Sequence, residues 1–313
     1  MQTHQSRDVS IEYADDTKRL FNSCASVSMA TFAQLFRSEI NRHVEYSFDE
    51  DLNSQGTMIV GTGEDFLAKV QRFSKLLPHS HTWAQDVETF VKCANPPAYF
   101  LRVDGSSTDI NDVTFYTRFF TPIDEVTLTS ALSQLSAFNW TGAPPHEFGD
   151  VVESEGPQGV GLRIDASGEC SMAIYYDVHS NRDDFCNRLL KPLVAYLGWN
   201  DQIVSTINED IFALYPPGKI GVIGVGMDSK GSIASLKLDA NDIALDQALS
   251  FIANKGTPSS RLSQLTQVLQ GLCSKRLNYV GVKYSASGFS GWKCYIAVQP
   301  SFKPTALRTQ LYI

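Results

Sequence analysis

The stretch KIGVIGVGMDSKGSIASLKLD, Lys219 to Asp239, carries four glycines, three of them within a strand-like run, and the reading of those three decides the fold. A dinucleotide-binding turn needs G-x-G-x-x-G between a strand and a helix, so that the backbone passes close to a pyrophosphate at a helix N-terminus. Here Gly221, Gly224 and Gly226 run G-x-x-G-x-G, and the third glycine of that pattern would fall on Ser229. No helical pattern follows. IASLKL alternates, is separated from IGVIGV by the turn signal MDSKGS, and predicts a β-hairpin.

Four further stretches repeat that hairpin pattern: 43–62, 98–120, 160–178 and 277–298. The five starts, at 43, 98, 160, 219 and 277, lie 55, 62, 59 and 58 residues apart, which is a structural period without an obvious sequence one. Between the hairpins lie EDFLAKVQRFSKLL, IDEVTLTSALSQLSAF, DDFCNRLLKPLVAYLGW and ANDIALDQALSFIANKG, with apolar residues at three- and four-residue spacing. Asp65, Asp124 and Asn241 mark helix starts and Gly256 a stop, while SMATFAQLFRSEI predicts a helix before the first hairpin. The expected architecture is a single α+β domain over residues 1–313. Five αββα repeats form a ten-stranded antiparallel β-barrel, surrounded by helices, whose closure removes exposed strand edges. A barrel of that width has a lumen accessible to solvent and able to hold a ligand.

Composition narrows the class. The chain of 313 residues is 43% hydrophobic, long enough for a large core. It has no apolar run of transmembrane length and no leader-like N-terminus, so a soluble cytoplasmic protein is expected, not a membrane one. A net charge of −8 argues against nucleic acid as a partner. The cysteines Cys24, Cys93, Cys170, Cys186, Cys273 and Cys294 form no C-x-x-C pair, so reduced thiols are expected and zinc knuckles are not.

In such a barrel the outward side chains pack on helices, so polar residues within strands must point inward or lie at strand ends. Arg102 and Asp104 share one side of FLRVD, and Tyr116 and Arg118 one side of FYTRFF. Arg163, Ser171, Tyr175, Lys219, Ser235, Lys237, Tyr279, Lys283, Lys293 and Tyr295 likewise interrupt apolar strands. Basic groups offer charge-assisted hydrogen bonds to a polyanion, and aromatic faces shelter a cation or stack on a planar ring.

At this point the chain resembles the aromatic prenyltransferases of the αββα-barrel (PT-barrel) family, which includes soluble aminocoumarin, naphthoquinone-type and indole alkaloid enzymes. The likeness covers nearly the whole chain as architecture and length; its motifs are weak. GWKCYIAV looks like the strand carrying a pyrophosphate-binding lysine, here Lys293. FALYPPGKIGVIGVGMDSKGSIASLKL is similar to the fourth hairpin, with Ser235 where an arginine is usual and Lys237 as the replacement on the same face. MAIYYD resembles the strand that brings a tyrosine, here Tyr175, into the lumen. The lysine usual in the second hairpin is missing, leaving Arg118 or Arg102 as substitutes.

The resemblance implies transfer of a dimethylallyl or geranyl group from its diphosphate to an electron-rich aromatic carbon by Friedel-Crafts-type alkylation in secondary metabolism. The partners it implies are a prenyl diphosphate and a small aromatic acceptor, with the protein a monomer or weak homodimer. Glu45, in HVEYSF, sits where some indole-using members hold the indole N–H, which points to an indole or indole alkaloid acceptor. Glu45 and Tyr175 are the catalytic candidates. Arg102, Tyr116, Arg118, Arg163, Lys219, Lys237, Tyr279, Lys283, Lys293 and Tyr295 are the substrate-binding ones.

Mg²⁺ has room as a diphosphate counter-ion, but no dedicated aspartate-rich site is readable. Asp15–Asp16 and Asp183–Asp184 lack the later acid of D-D-x-x-D, and Asp49 to Asp51 read as a solvated turn. His79 and His81, and PPHEFGD around His146 and Glu147, read as loops. The alternatives are a phenol or naphthalene-type acceptor, a non-catalytic barrel that binds a hydrophobic small molecule, or a repeat-built interaction scaffold.

Overall fold

A computed structural model describes residues 27–40, 43–50, 55–105, 110–138, 145–178, 180–215, 220–228, 232–272 and 275–298. Ten strands run in sequence: β1 (Val44–Asp49), β2 (Gln55–Gly61), β3 (Ala98–Gly105), β4 (Ile110–Arg118), β5 (Pro157–Asp165), β6 (Cys170–Asp177), β7 (Val222–Met227), β8 (Ile233–Ala244), β9 (Arg276–Ser285) and β10 (Gly288–Val298). Each is antiparallel to its sequence neighbours, and β1 closes the barrel on β10, from Val44 opposite Val298 to Asp49 opposite Lys293. In each of the five hairpins the first strand ends and the second begins at the same end of the cylinder, here called the mouth. The strands join the helices at the other, the helix end.

Strand side chains alternate between the two faces of the wall, and this chain separates them by chemistry. Tyr99, Leu101 and Val103 of β3, Leu236 and Leu238 of β8, and Val280, Val282 and Tyr284 of β9 face outward and are buried under helices. Each such burial contributes roughly 1.5–3 kcal/mol, which is what holds the helices to the wall. From the helix His81–Ala94, Trp83 donates its indole N–H to the carbonyl of Leu162 on β5 at 3.0 Å. Phe32 lies 5.1 Å from Phe36, Phe36 lies 5.7 Å from Phe66, and Phe66 stacks over Tyr99 at 6.3 Å, docking the first helices.

Several expectations need correction. PPHEFGD is not a loop: Pro145–Val151 is helical, with proline at the first helical position. Its Phe148 packs 4.8 Å from Tyr176, and seven residues are too few for apolar spacing to reveal. Asn241 does not start a helix. β8 continues through Ala244, pairing Asn241 with Tyr279 and Ile243 with Leu277, and the helix spans only Leu245–Asn254. His81 opens the helix His81–Ala94 and is not in a loop.

Asp124 does cap its helix, accepting from the Thr127 N–H at 2.9 Å. The helices Gln202–Leu214 and Ser259–Leu272 add to those expected. Cys170 and Cys294 are buried, while Cys93 and Cys186 are partly buried. No helix among the described residues is long and apolar enough to cross a membrane. Lys219, Asp15, Asp16, Cys24, Asp51 and Cys273 lie outside the described residues.

Candidate functional site

The inward face is polar and aromatic, and at mid-height Tyr116, Tyr175, Tyr279 and Tyr295 surround two cations, Arg102 and Lys237. Together they line a cavity of about 130 Å³, which Met58, Phe100, Arg118, Asp239 and Asn241 extend toward the helix end. Tyr279 and Tyr295 are opposite in the β9–β10 register and stack at 4.0 Å and 18°. Tyr116 and Tyr175, from β4 and β6, lie 5.8 Å apart. Lys237 Nζ sits 4.8 Å from the Tyr295 ring centre and the Arg102 guanidinium 5.3 Å from it, so one ring serves two cations.

Each of these cations already holds a carboxylate. Arg102 donates to Asp104 at 2.6 Å, to Ser47 at 2.9 Å and to the Tyr295 hydroxyl at 3.2 Å. Burial would by itself raise the Asp104 carboxyl, but Arg102 and Lys293 hold it well below the usual range. Lys237 donates to Asp239 Oδ2 at 3.1 Å. Burial works against the Lys237 ammonium, yet Asp239 and the tyrosines raise its pKa well above the ordinary lysine value.

At the helix end, Arg118 grips Asp177 through two bonds, 3.1 and 2.6 Å, and Tyr279 donates its hydroxyl to Glu45 Oε1 at 2.7 Å. At the mouth, Lys293 lies 3.0 Å from Asp104 and 3.5 Å from Asp49, and Arg163 lies 3.1 Å from Asp112. Asp49 therefore ends β1 facing inward and is not a solvated turn residue. Lys283, opposite Lys237 in the β8–β9 register, makes no ion pair among the described residues. Burial, then Arg163, Lys293 and Lys237, lower its pKa.

The structure thus brings together eleven of the twelve residues singled out by sequence, with Arg102, Tyr116, Tyr175, Lys237, Tyr279 and Tyr295 at the centre. Glu45 and Arg118 stand at the helix end, and Arg163, Lys283 and Lys293 at the mouth. The reading missed Asp112, Asp177, Asp239 and Asn241. Their signal was present, since Asp239 follows Lys237 by two residues and Asp177 follows Tyr175 by two, which puts each on the inward face. No group of three or more His, Cys, Asp or Glu among the described residues is placed to hold a metal ion.

The glycines of the opening stretch make room for side chains of the wall itself. A Cβ on Gly224 would meet the Tyr175 ring at 2.8 Å, and one on Gly226 would run into Ser235. On β9, a Cβ on Gly281 would sit 2.6 Å from the Lys237 side chain. Inward glycines let the large lumen side chains of the neighbouring strand lie flat against the wall.

The sequence matches no protein-family profile and no curated protein. The fold does match solved structures. A 5-dimethylallyltryptophan synthase from Streptomyces coelicolor, in complex with DMASPP and Trp, shares 11% identity over 91% of this chain and 93% of that one, at a TM-score of 0.58. AnaPT from Neosartorya fischeri aligns at 0.63 and 11% identity over 90% and 91% of the two chains. NotF, in complex with brevianamide F and DMSPP, aligns at 0.62 and 10% identity over 96% and 97%. The chain therefore has the ten-stranded barrel fold found in aromatic prenyltransferases.

Proposed function

We propose that the protein is an aromatic prenyltransferase that moves a dimethylallyl group from its diphosphate to an indole-type acceptor. The observation that carries this reading is the belt of Tyr116, Tyr175, Tyr279 and Tyr295 around Lys237 and Arg102 inside a closed barrel. The diphosphate takes the mouth, where Lys283 makes no ion pair among the described residues and Lys293 and Arg163 hold their carboxylates in partly exposed pairs. Its allylic C–O bond breaks and the pyrophosphate keeps the electron pair, stabilised by these cations. The tyrosine faces shelter the allyl cation until the acceptor ring forms the new C–C bond. The arenium proton then leaves to a base, and Glu45 with Tyr279 stands at the acceptor end to orient the ring N–H. In this reading Mg²⁺ enters as a diphosphate counter-ion.

The internal pairing of Arg102, Arg118 and Lys237 favours a second reading, a barrel that binds an uncharged aromatic molecule without turnover. The two separate on incubation with dimethylallyl diphosphate and indoles, with and without Mg²⁺, followed by mass spectrometry. Transfer is expected, with Lys293→Ala abolishing it and Lys283→Ala raising KM for the diphosphate about ten-fold, the equivalent of about 1.4 kcal/mol. Binding of indole with no prenylated product under any condition would leave the second reading.

A further inference from the structure

Three carboxylates stand in a row across neighbouring strands at the mouth. In the strand register Asp112 of β4 lies directly opposite Asp104 of β3 on one side and Asp165 of β5 on the other. Side chains so placed have their Cβ atoms roughly 4.5–5.5 Å apart, where like charges destabilise the sheet. The three are unequally compensated. Asp104 is held by Arg102 at 2.6 Å and by Lys293 at 3.0 Å. Asp165 accepts from the Ser167 N–H at 2.9 Å, the Ser167 hydroxyl at 2.6 Å and the Glu169 N–H at 3.0 Å. Among the described residues Asp112 has one side-chain partner, the partly exposed Arg163 at 3.1 Å.

Asp112 is therefore the member of the row that a proton neutralises most readily. The charged groups that face it are Asp104 and Arg102 from β3, Arg163 and Asp165 from β5, Lys283 from β9 and Lys293 from β10. Burial and Asp104 push its carboxyl up to about 6, against the pull of Arg163, Lys293 and Arg102. Arg163 is also one of the cations of the mouth. An anion bound there takes Arg163 from Asp112 and brings more negative charge to a carboxylate that already has two like neighbours. Both effects tighten the hold of Asp112 on a proton. The coupling is reciprocal, so a protonated Asp112 releases Arg163 and strengthens the binding of the anion.

We propose that Asp112 is a proton-linked latch on the mouth: a guest bearing phosphate oxygens takes Arg163 from it, and Asp112 takes up a proton from solvent as it loses that partner. The proposal rests on the mouth being the diphosphate site and adds the step by which a closed ion pair opens to receive the diphosphate.

Calorimetric titration of the intact protein with inorganic pyrophosphate, without Mg²⁺, in two buffers of different ionisation enthalpy counts the protons taken up on binding. Protons exchanged by pyrophosphate itself are common to wild type and Asp112→Asn, so the difference between them belongs to Asp112. At pH 7 wild type is expected to take up about one proton more than the variant. Asp112→Asn, fixed in the uncharged form, is expected to bind pyrophosphate about ten-fold more tightly than wild type at pH 7, where about one wild-type molecule in ten has Asp112 protonated. At pH 5 the two should agree within about two-fold. Equal proton uptake, or a variant that binds no more tightly at pH 7, would overturn the latch and leave the mouth as the diphosphate site. Failure of pyrophosphate to bind either protein at any pH would overturn the latch and the diphosphate reading of the mouth together. If the variant does not fold, sulfate, fully ionised across this range, decides in wild type alone: sulfate binding without proton uptake would overturn the latch.

Discussion

At the mouth Arg163 meets Asp112 at 3.1 Å with its side chain 44% exposed, whereas at the helix end Arg118 holds Asp177 by two bonds with both side chains 10% exposed. Among the described residues the mouth leaves a cation, Lys283, without an ion pair, whereas deeper in the lumen Lys237 holds both oxygens of Asp239, at 3.0 and 3.1 Å. Water near the mouth lowers the cost of separating a pair, so an incoming anion can exchange for Asp112 or Asp49. At the helix end the same exchange would strand a charge away from water, so those pairs act as fixed parts of the wall. The lumen is therefore polarised along its axis, with replaceable counter-ions at one end and permanent ones at the other.

The largest test breaks one pair at each end. Asp177→Ala, which leaves Arg118 buried without its carboxylate, is expected to cost about 3–5 kcal/mol in urea unfolding. Arg163→Ala is expected to cost about 0–1 kcal/mol. Equal losses would remove the distinction between the ends.

A smaller effect is expected at the wall between them. Gly224→Ala places a methyl against the Tyr175 ring and should cost about 1–3 kcal/mol while tilting that ring into the cavity. Near-UV circular dichroism reports the displaced tyrosine, and an unchanged spectrum at full stability would show that the wall yields instead.

The smallest effect is a pH dependence at the mouth. Burial, then Asp104, push the Asp112 carboxyl up to about 6, against the pull of Arg163, Lys293 and Arg102. Above the ordinary aspartate value of about 3.9 the folded protein then holds this proton more tightly than the unfolded chain. Its contribution to stability is present below about pH 4 and lost as the pH rises through about 6. Asp112→Asn keeps the uncharged form, so its stability relative to wild type should rise by something on the order of 1 kcal/mol between pH 4 and 7. A difference that stays flat across that range would place the titration elsewhere.

Much of this was legible in the chain because strand side chains alternate strictly. FLRVD states by its period that Arg102 and Asp104 share a face, and the apolar Leu101 and Val103 state which face is outside. Short or irregular elements were not legible. Pro145–Val151 offers one buried phenylalanine where periodicity needs two turns, and Asn241 reads as a helix cap until strand pairing with Tyr279 overrides it.

By itself the sequence determined the five hairpins, most of the helices that cover them and most of the residues that face inward, because each of these follows from local spacing of polar and apolar side chains. Only the tertiary structure decided which inward residues meet. Arg102 reaches Tyr295 across 193 residues, and Tyr279 reaches Glu45 across 234. Such meetings depend on where the barrel closes and how far its strands are staggered, a property of all ten strands together that no single strand encodes. The spacing of the opening glycines already excluded a phosphate turn; closure decided that Gly224 is the bare wall against which Tyr175 lies.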